Sequence, residues 1–354
     1  VFWEETTEWQ PRNLAIGNDG SPVVFPAATG LQRNELELGQ GVPRRIQTEF
    51  EYDEFGNVLL RCELGIVEDD NPGAFNDETI TATEYAYNVE QWLVDRPSNR
   101  IVANIDGDVV TRTEFYYDDE TFSGTGLGEI SKGNKTLERR WHDTATESGS
   151  VDAERYKYDE YGNIVAMFDP LAIADGGAVD DSAGHYRTIQ YDDEFHTYAV
   201  AETVHLGEGR EDLELRFTWD AGAGDVTSYT DLNGAITAYT HDALGRLERS
   251  VLPGDTDEFP TLEYEYQLAQ AFGDGRLINF VETRLLDKIP GSAGDEKRDH
   301  YFISRDFSDG FARVVMKKSE AEPDPESGGP RAAVTEAALF NARGAPSISL
   351  QPYF

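Results

Sequence analysis

Tyr158-Asp159-Glu160-Tyr161-Gly162-Asn163-Ile164 is the stretch that decides how this chain reads. An aromatic precedes an Asp, two residues follow, then Gly, a polar residue and an apolar one. Asp suits the first position of a tight turn, where its carboxylate accepts from backbone N–H groups further on. Gly three residues later takes the left-handed conformation that closes a hairpin loop with a bulge. The phrase recurs. Tyr52-Asp53-Glu54-Phe55-Gly56-Asn57-Val58 and His241-Asp242-Ala243-Leu244-Gly245-Arg246-Leu247 are clear copies. Weaker copies run from Trp219-Asp220 to Gly224 and from Arg305-Asp306 to Gly310, while Tyr117-Asp118 and Tyr191-Asp192 keep only the front half. A phrase repeated along a chain means an array.

The flanks alternate. In Thr48-Glu49-Phe50-Glu51-Tyr52, Phe50 falls on one face and the two Glu on the other, and Glu263-Tyr264-Glu265-Tyr266 repeats the pattern. Period-two alternation with aromatics is strand language. One hairpin is marginal in water, whereas stacked hairpins bury a shared face. The predicted fold class is therefore all-β, a spiralling antiparallel sheet of irregular β-hairpins. Gly224, Gly234 and Gly245 lie ten and eleven residues apart, but Tyr52 and Tyr158 are far apart, and this irregularity argues against a propeller. Ala332 to Phe340 is the best candidate for a helix. The aromatics before the turns, Tyr52, Tyr117, Tyr158, Tyr191 and Trp219, are expected to form a ladder from hairpin to hairpin.

Residues 1–45 carry Pro, Gly and Asn punctuation and read as the tail of a preceding segment or a linker; the hairpin array is assigned to 46–354. Asp69-Asp70-Asn71-Pro72-Gly73, Ala174-Asp175-Gly176-Gly177 and Pro290-Gly291-Ser292 mark longer loops, and Ala321 to Pro330 reads as an exposed one. A final strand pair is expected around Ala338-Leu339-Phe340 and Ser347-Ile348-Ser349-Leu350. The chain starts with Val and ends on Gln351-Pro352-Tyr353-Phe354, and it reads as a piece of a longer protein. No apolar run approaches the roughly 20 residues that span a bilayer.

The net charge is −38, from 68 acidic and 30 basic residues. Such a field repels nucleic acid and anionic membrane, so neither is expected as a partner. The acids are spread through every segment, and 11% aromatics with alternating strands argue for a folded body rather than an acidic tail. Adaptation to high salt is the preferred explanation, since a hydrated acidic surface stays dispersed under strong screening. The rival is an acidic interior that holds a basic cargo.

Chemistry is harder to find. Cys62 is the single cysteine, so no disulfide or zinc cluster forms within the chain, and a lone strand Cys is usually a small core residue. Gly128 to Gly133 followed by Asn134-Lys135-Thr136 is one residue too long for a phosphate-binding loop, and it reads as a hairpin loop bearing Lys, as does Gly124-Thr125-Gly126-Leu127-Gly128. No two of the six histidines stand three or four apart; His196 and His205 have the spacing to meet across a hairpin. His142 and His241 precede an Asp where the repeat places an aromatic. Asp69-Asp70-Asn71 with Asn76-Asp77-Glu78 offers oxygen ligands for Ca²⁺, at a spacing unlike an EF-hand. With 68 acids, close carboxylate pairs arise by chance. No catalytic, cofactor-binding or metal-binding residue is assigned, and no cofactor is expected.

These phrases resemble the Rhs/YD repeats of bacterial polymorphic toxins. The closing stretch is more specific. Asp306-Phe307-Ser308-Asp309-Gly310-Phe311-Ala312-Arg313-Val314, Lys317-Lys318-Ser319-Glu320-Ala321-Glu322-Pro323, Phe340-Asn341-Ala342-Arg343-Gly344-Ala345-Pro346 and Gln351-Pro352-Tyr353-Phe354 follow one another in an order similar to the middle and C-terminal region of the B component of insecticidal Tc toxin complexes. The resemblance implies a secreted, non-catalytic wall segment of a hollow β-shell that encloses a toxic effector before translocation. It implies as partners the downstream Rhs core of the C component and the enclosed effector. The A-component channel would be met only through an upstream propeller that this sequence lacks. In that family the C component cuts itself at an Asp-Pro-x-Gly-Leu type motif. Asp169-Pro170-Leu171-Ala172 lacks the Gly and lies mid-chain, so self-cleavage is not expected. The alternative function is a cell-surface YD-repeat array that binds carbohydrate or a protein partner. A glycosidase would need two carboxyls about 5–10 Å apart in a pocket, and nothing in the sequence selects such a pair.

Overall fold

The computed structural model describes residues 2–16, 18–36, 44–67, 77–124, 126–143, 148–173, 178–180, 182–271, 277–287 and 300–354. Among the described residues there are twenty-two strands and no α-helix. The chain divides into two units, one of Val1–Ile189 with Thr203–Leu213 and one of Gln190–Glu202 with Glu214–Phe354.

In the first unit the strands are β1 (Phe2–Ile16), β2 (Pro22–Leu36), β3 (Arg44–Tyr52), β4 (Val58–Ile66), β5 (Thr79–Asn88), β6 (Leu93–Ala103), β7 (Val109–Tyr117), β8 (Lys135–Asp143), β9 (Ser148–Tyr158), β10 (Ile164–Phe168) and most of β11 (Tyr186–Tyr191). Each pairs antiparallel with the next in sequence, from β1 on β2 through to β10 on β11. β1 and β2 thus form a long hairpin, and β2 pairs on its other side with β3, with Gly30 opposite Glu49. β12 (Ala199–His205) follows a turn at 192–198.

The second unit repeats the pattern with β13 (Leu213–Asp220), β14 (Asp225–Thr230), β15 (Ile236–His241), β16 (Leu247–Val251), β17 (Leu262–Ala271), β18 (Leu277–Leu286), β19 (Tyr301–Ser308), β20 (Val314–Ala321), β21 (Arg331–Phe340) and β22 (Pro346–Leu350). These too pair in sequence order, β13 on β14 through β21 on β22. The fold is all-β and antiparallel, a succession of hairpins, as the repeat requires.

The turns explain why. Asp159 receives its closing bond at its own N–H, which donates to the Asn163 carbonyl at 3.0 Å, and Gly162 stands at φ +88°. One oxygen of the Asp159 carboxylate accepts from the N–H of Tyr161 and of Asn163, and the other from the Asn163 amide. Asp53 and Asp242 build the same object, with Gly56 at φ +95° and Gly245 at φ +76°. One carboxylate therefore satisfies most of the donors that a tight turn leaves open.

Two sequence readings change. The turn near the C-terminal end starts at Asp309, not Asp306: Asp309 accepts from Phe311 and Arg313, and Ala312, not a Gly, takes the left-handed position at φ +60°. Asp306 lies within β19, opposite Lys317. The helical candidate Ala332 to Phe340 is strand β21, because β20 and β22 pair with it on both sides, Met316 opposite Ala337 and Leu339 opposite Ile348. That two-sided ladder outweighs the helix preference of its alanines. The final strand pair is present as expected. Asn104–Asp108, Asp231–Ala235 and Asn341–Ala345 are further copies of the turn.

Several of the aromatics before the turns tie strands together through their polar tips. The hydroxyls of Tyr52, Tyr117 and Tyr158 donate to the carbonyls of Ala28, Pro97 and Lys135 at 2.7–2.8 Å, and the Trp219 indole N–H donates to Ala199 at 2.7 Å. Tyr85 and Tyr266, which lie within strands rather than at turns, do the same to Val58 and Leu247. Each ring buries its body beside a neighbouring strand and satisfies a carbonyl on it.

Candidate functional site

The connection between β7 and β8 holds the Gly-rich run that superficially suggests a phosphate loop. Consecutive backbone N–H groups of Ser131, Lys132, Gly133 and Asn134 do converge on one point, at 2.8–3.2 Å. The carboxylate of Asp118 occupies it. Burial raises the pKa of that carboxyl, but the four N–H bonds outweigh burial and hold it below the usual range. Asp119 closes the other side of the loop through Thr121, Ser123 and Gly124. The nest is an anion site already filled by the chain's own anion.

A second concavity lies wholly within the first unit, a cavity of about 380 Å³ between β9, β10, β11 and the segment that follows Thr203. One wall is a run of rings. Phe168 stacks on Tyr186 at 5.3 Å between centroids, and Tyr186 stacks on His205 at 4.1 Å and 12° between planes. Phe122 abuts Phe168 edge-on at 6.2 Å and belongs to the buried cluster with Ala166, Phe168 and Ala172. The His205 imidazole is fixed at both nitrogens, Nδ1 at 2.7 Å from Asp212 and Nε2 at 2.9 Å from the Thr188 hydroxyl. His205 is thus engaged by Tyr186, Thr188 and Asp212, and His196 stands in the turn at 192–198 with φ +51°. Arg155, Arg187 and Arg210 line the cavity with His185, Glu154 and Asp169.

Asp169 is explained locally. Its carboxylate caps the 3₁₀ turn Pro170–Ala172 by accepting from the Leu171 N–H at 2.9 Å, and it lies 3.8 Å from His185. Burial pushes the Cys62 thiol up, and the charges of Glu49 and Glu51 add to that, so the thiolate is disfavoured. Of the Ca²⁺ candidates, residues 69–76 lie outside the described residues, as do Ala174 to Gly177 and Pro290-Gly291-Ser292; Asp77 accepts from the Ile66 N–H. Among the described residues no group of three or more His, Cys, Asp or Glu is arranged to hold a metal ion.

Some acids are internal, which composition did not disclose. Glu263 and Glu282 are buried in the second unit and meet arginines from adjoining strands. Arg284 contacts Glu282 at 2.7 Å, Glu265 at 2.5 Å and Glu263 at 3.6 Å, and Arg305 contacts Glu282 at 2.6 Å. Burial works against the charged form of Glu282, but the bonds from Arg305 and Arg284 prevail and hold its carboxyl low. These carboxylates are engaged in cross-strand ladders.

The TcdB2–TccC3 crystal structure superposes on 99% of this chain with a TM-score of 0.65 at 13% identity. The fold matches part of TcdB2–TccC3. The TcdB2–TccC3–Cdc42 structure gives the same result, a TM-score of 0.64 at 12% identity over 99% of the chain. The resemblance to Tc toxin components read from the closing motifs therefore holds at the level of the fold. This chain spans 22–24% of those two structures. In sequence, 84 residues, 23% of the chain, are 33% identical to the toxin protein Tse5 of Pseudomonas aeruginosa strain PAO1, of which they cover 6%. No protein-family model matches the chain. Among the described residues no helix is long and apolar enough to cross a membrane.

Proposed function

We propose that this chain is a non-catalytic wall segment of a toxin-complex β-shell that encloses a toxic effector before its translocation. The observation that carries this reading is the TcdB2–TccC3 fold over nearly the whole chain, built from consecutive self-fastened hairpins. The sequence match to Tse5 supports a place among toxins. Non-catalysis is supported by the carboxylates described above, which are spent on turns, caps and ladders. In this reading the protein is secreted. Its partners are a downstream Rhs core of the C-component type and the enclosed effector, and a channel component is met only through an upstream propeller. The acidic excess keeps the surface hydrated in concentrated salt.

The test is to co-express the protein with its downstream neighbour and cargo, then treat the assembly with protease. Cargo protected until the assembly is opened supports the shell. Cargo digested as fast as the free polypeptide overturns it.

A second reading, a cell-surface array that binds carbohydrate, rests on Trp92. Its side chain is 72% exposed, its backbone is left-handed at φ +58°, and its ring leans on Phe55, which also meets Tyr87. Glycan binding lost in Trp92→Ala would favour it.

A further inference from the structure

We propose that the cavity between β9, β10 and β11 is a binding site for a small aromatic anion. Its volume of about 380 Å³ falls within the range of small-molecule sites. The rings Phe168–Tyr186–His205 cover one another's faces in series and so turn edges outward, and the two hydrogen bonds of His205 hold the last ring in place. A flat ligand ring packs its face against such edges without reorganising the wall.

The charge of the lining sets the sign of the ligand. In a chain where acids outnumber bases 68 to 30, the cavity is lined by Arg155, Arg187 and Arg210 against Glu154 and Asp169. Both acids are already engaged, Glu154 by the Tyr156 hydroxyl and Asp169 by its cap on Leu171. Arg155 is buried over the Phe122 ring and paired with Asp152, so it forms a fixed part of the wall. Arg210 is exposed at the mouth, in a concavity it shares with Glu208 and with Asp212, the latter already engaged by His205, and its guanidinium suits a carboxylate or sulfonate. The chain as a whole repels anions, which makes specific uptake of one distinguishable from adventitious adsorption.

The experiment titrates the protein with 1-anilinonaphthalene-8-sulfonate and, separately, with its neutral relative N-phenyl-1-naphthylamine, following dye fluorescence. The sulfonate is expected to bind saturably, and more tightly than the neutral dye at low ionic strength. Arg210→Ala removes one charged contact and weakens the sulfonate by about tenfold while leaving the neutral dye unchanged. Met167→Trp, at a lining position that is 36% exposed, fills the cavity and abolishes the saturable phase for both dyes. The proposal is overturned by any one of three results: no saturable binding, neutral dye as tight as the sulfonate, or sulfonate binding untouched in either variant.

Discussion

The hydroxyl of Tyr158 donates to the backbone carbonyl of Lys135 at 2.7 Å, so the last residue of β9 is fastened to the first residue of β8. Burial raises the pKa of this phenol, and the Asp118 charge adds to it, which keeps it a donor. Tyr158→Phe keeps the ring and strands the carbonyl. A loss of about 1 kcal/mol is expected, read as a lower urea midpoint with an unchanged slope. An unchanged midpoint would mean that water replaces the hydroxyl at no cost.

The turn near residue 310 gives a prediction with an unusual sign. Ala312 carries the left-handed conformation at φ +60°, while Gly310 is not strained and has open space where a Cβ would go. Ala312→Gly is expected to stabilise by about 0.5–1 kcal/mol, because a left-handed alanine is strained. Gly310→Ala is expected to be neutral. At Gly162, where φ is +88° and there is open space where a Cβ would stand, Val should destabilise by about 1–2 kcal/mol through backbone strain alone. Thermal unfolding of the three variants checks the set.

Arg284 serves three carboxylates. Arg284→Ala leaves the buried Glu263 and Glu282 with less counter-charge, and a loss of about 2 kcal/mol is expected, below the usual range for a buried pair because Arg284 is partly exposed. Adding Glu282→Gln should recover part of it. A double variant no better than the single would place the cost in lost packing of the Arg stem instead.

Acid should unfasten the turn at 192–198. Desolvation raises the pKa of Asp192, but the N–H groups of Tyr198, Phe195, Thr197 and Glu194 hold it down to about 2. A folded value below the unfolded one means that the stabilisation is full above about pH 4 and is lost as pH falls toward 2. Asp192→Asn should flatten that part of the acid-unfolding curve. A carboxyl that titrates near 4 in the folded protein, followed by NMR, would contradict this.

Salt should matter in the other direction. With a net charge of −38, the melting temperature is expected to rise between low salt and molar KCl as repulsion is screened, since the Debye length shrinks from about 10 Å at 0.1 M to about 3 Å at 1 M. A flat or falling profile would remove the high-salt reading of the acidic composition.

Much of this fold is written in local chemistry. Asp159 and Gly162 are three residues apart and need no other part of the chain to define a turn, so the phrase is readable in isolation. Where the local signal is blurred, reading fails. Ala312 fills a glycine position, which disguises the turn at Asp309 and moves the phrase three residues back, to Asp306. Asn104-Ile105-Asp106-Gly107 lacks the leading aromatic. The alanines of β21 favour helix until two neighbouring strands pair with them. The cavity has no sequence signature, since Phe168, Tyr186 and His205 are brought together only by the pairing of strands and do not form a motif. The buried Glu263 and Glu282 are hidden by number, because 68 acids make any one of them unremarked.

Six of the aromatic fastenings share a direction, while the Tyr198 hydroxyl reaches forward to Ala221. Tyr52 reaches Ala28, Tyr85 reaches Val58, Tyr117 reaches Pro97, Tyr158 reaches Lys135, Trp219 reaches Ala199 and Tyr266 reaches Leu247, so in each case the acceptor precedes the donor in sequence. A ribosome releases the earlier residue first. Each strand that carries one of these six donors therefore emerges to find its anchor already made, 19 to 27 residues upstream. Growth can proceed vectorially from the N-terminal side, with each stage adding one strand to the newest edge. For a long β-protein otherwise prone to mispairing, that polarity replaces a search over the whole chain with a sequence of local dockings.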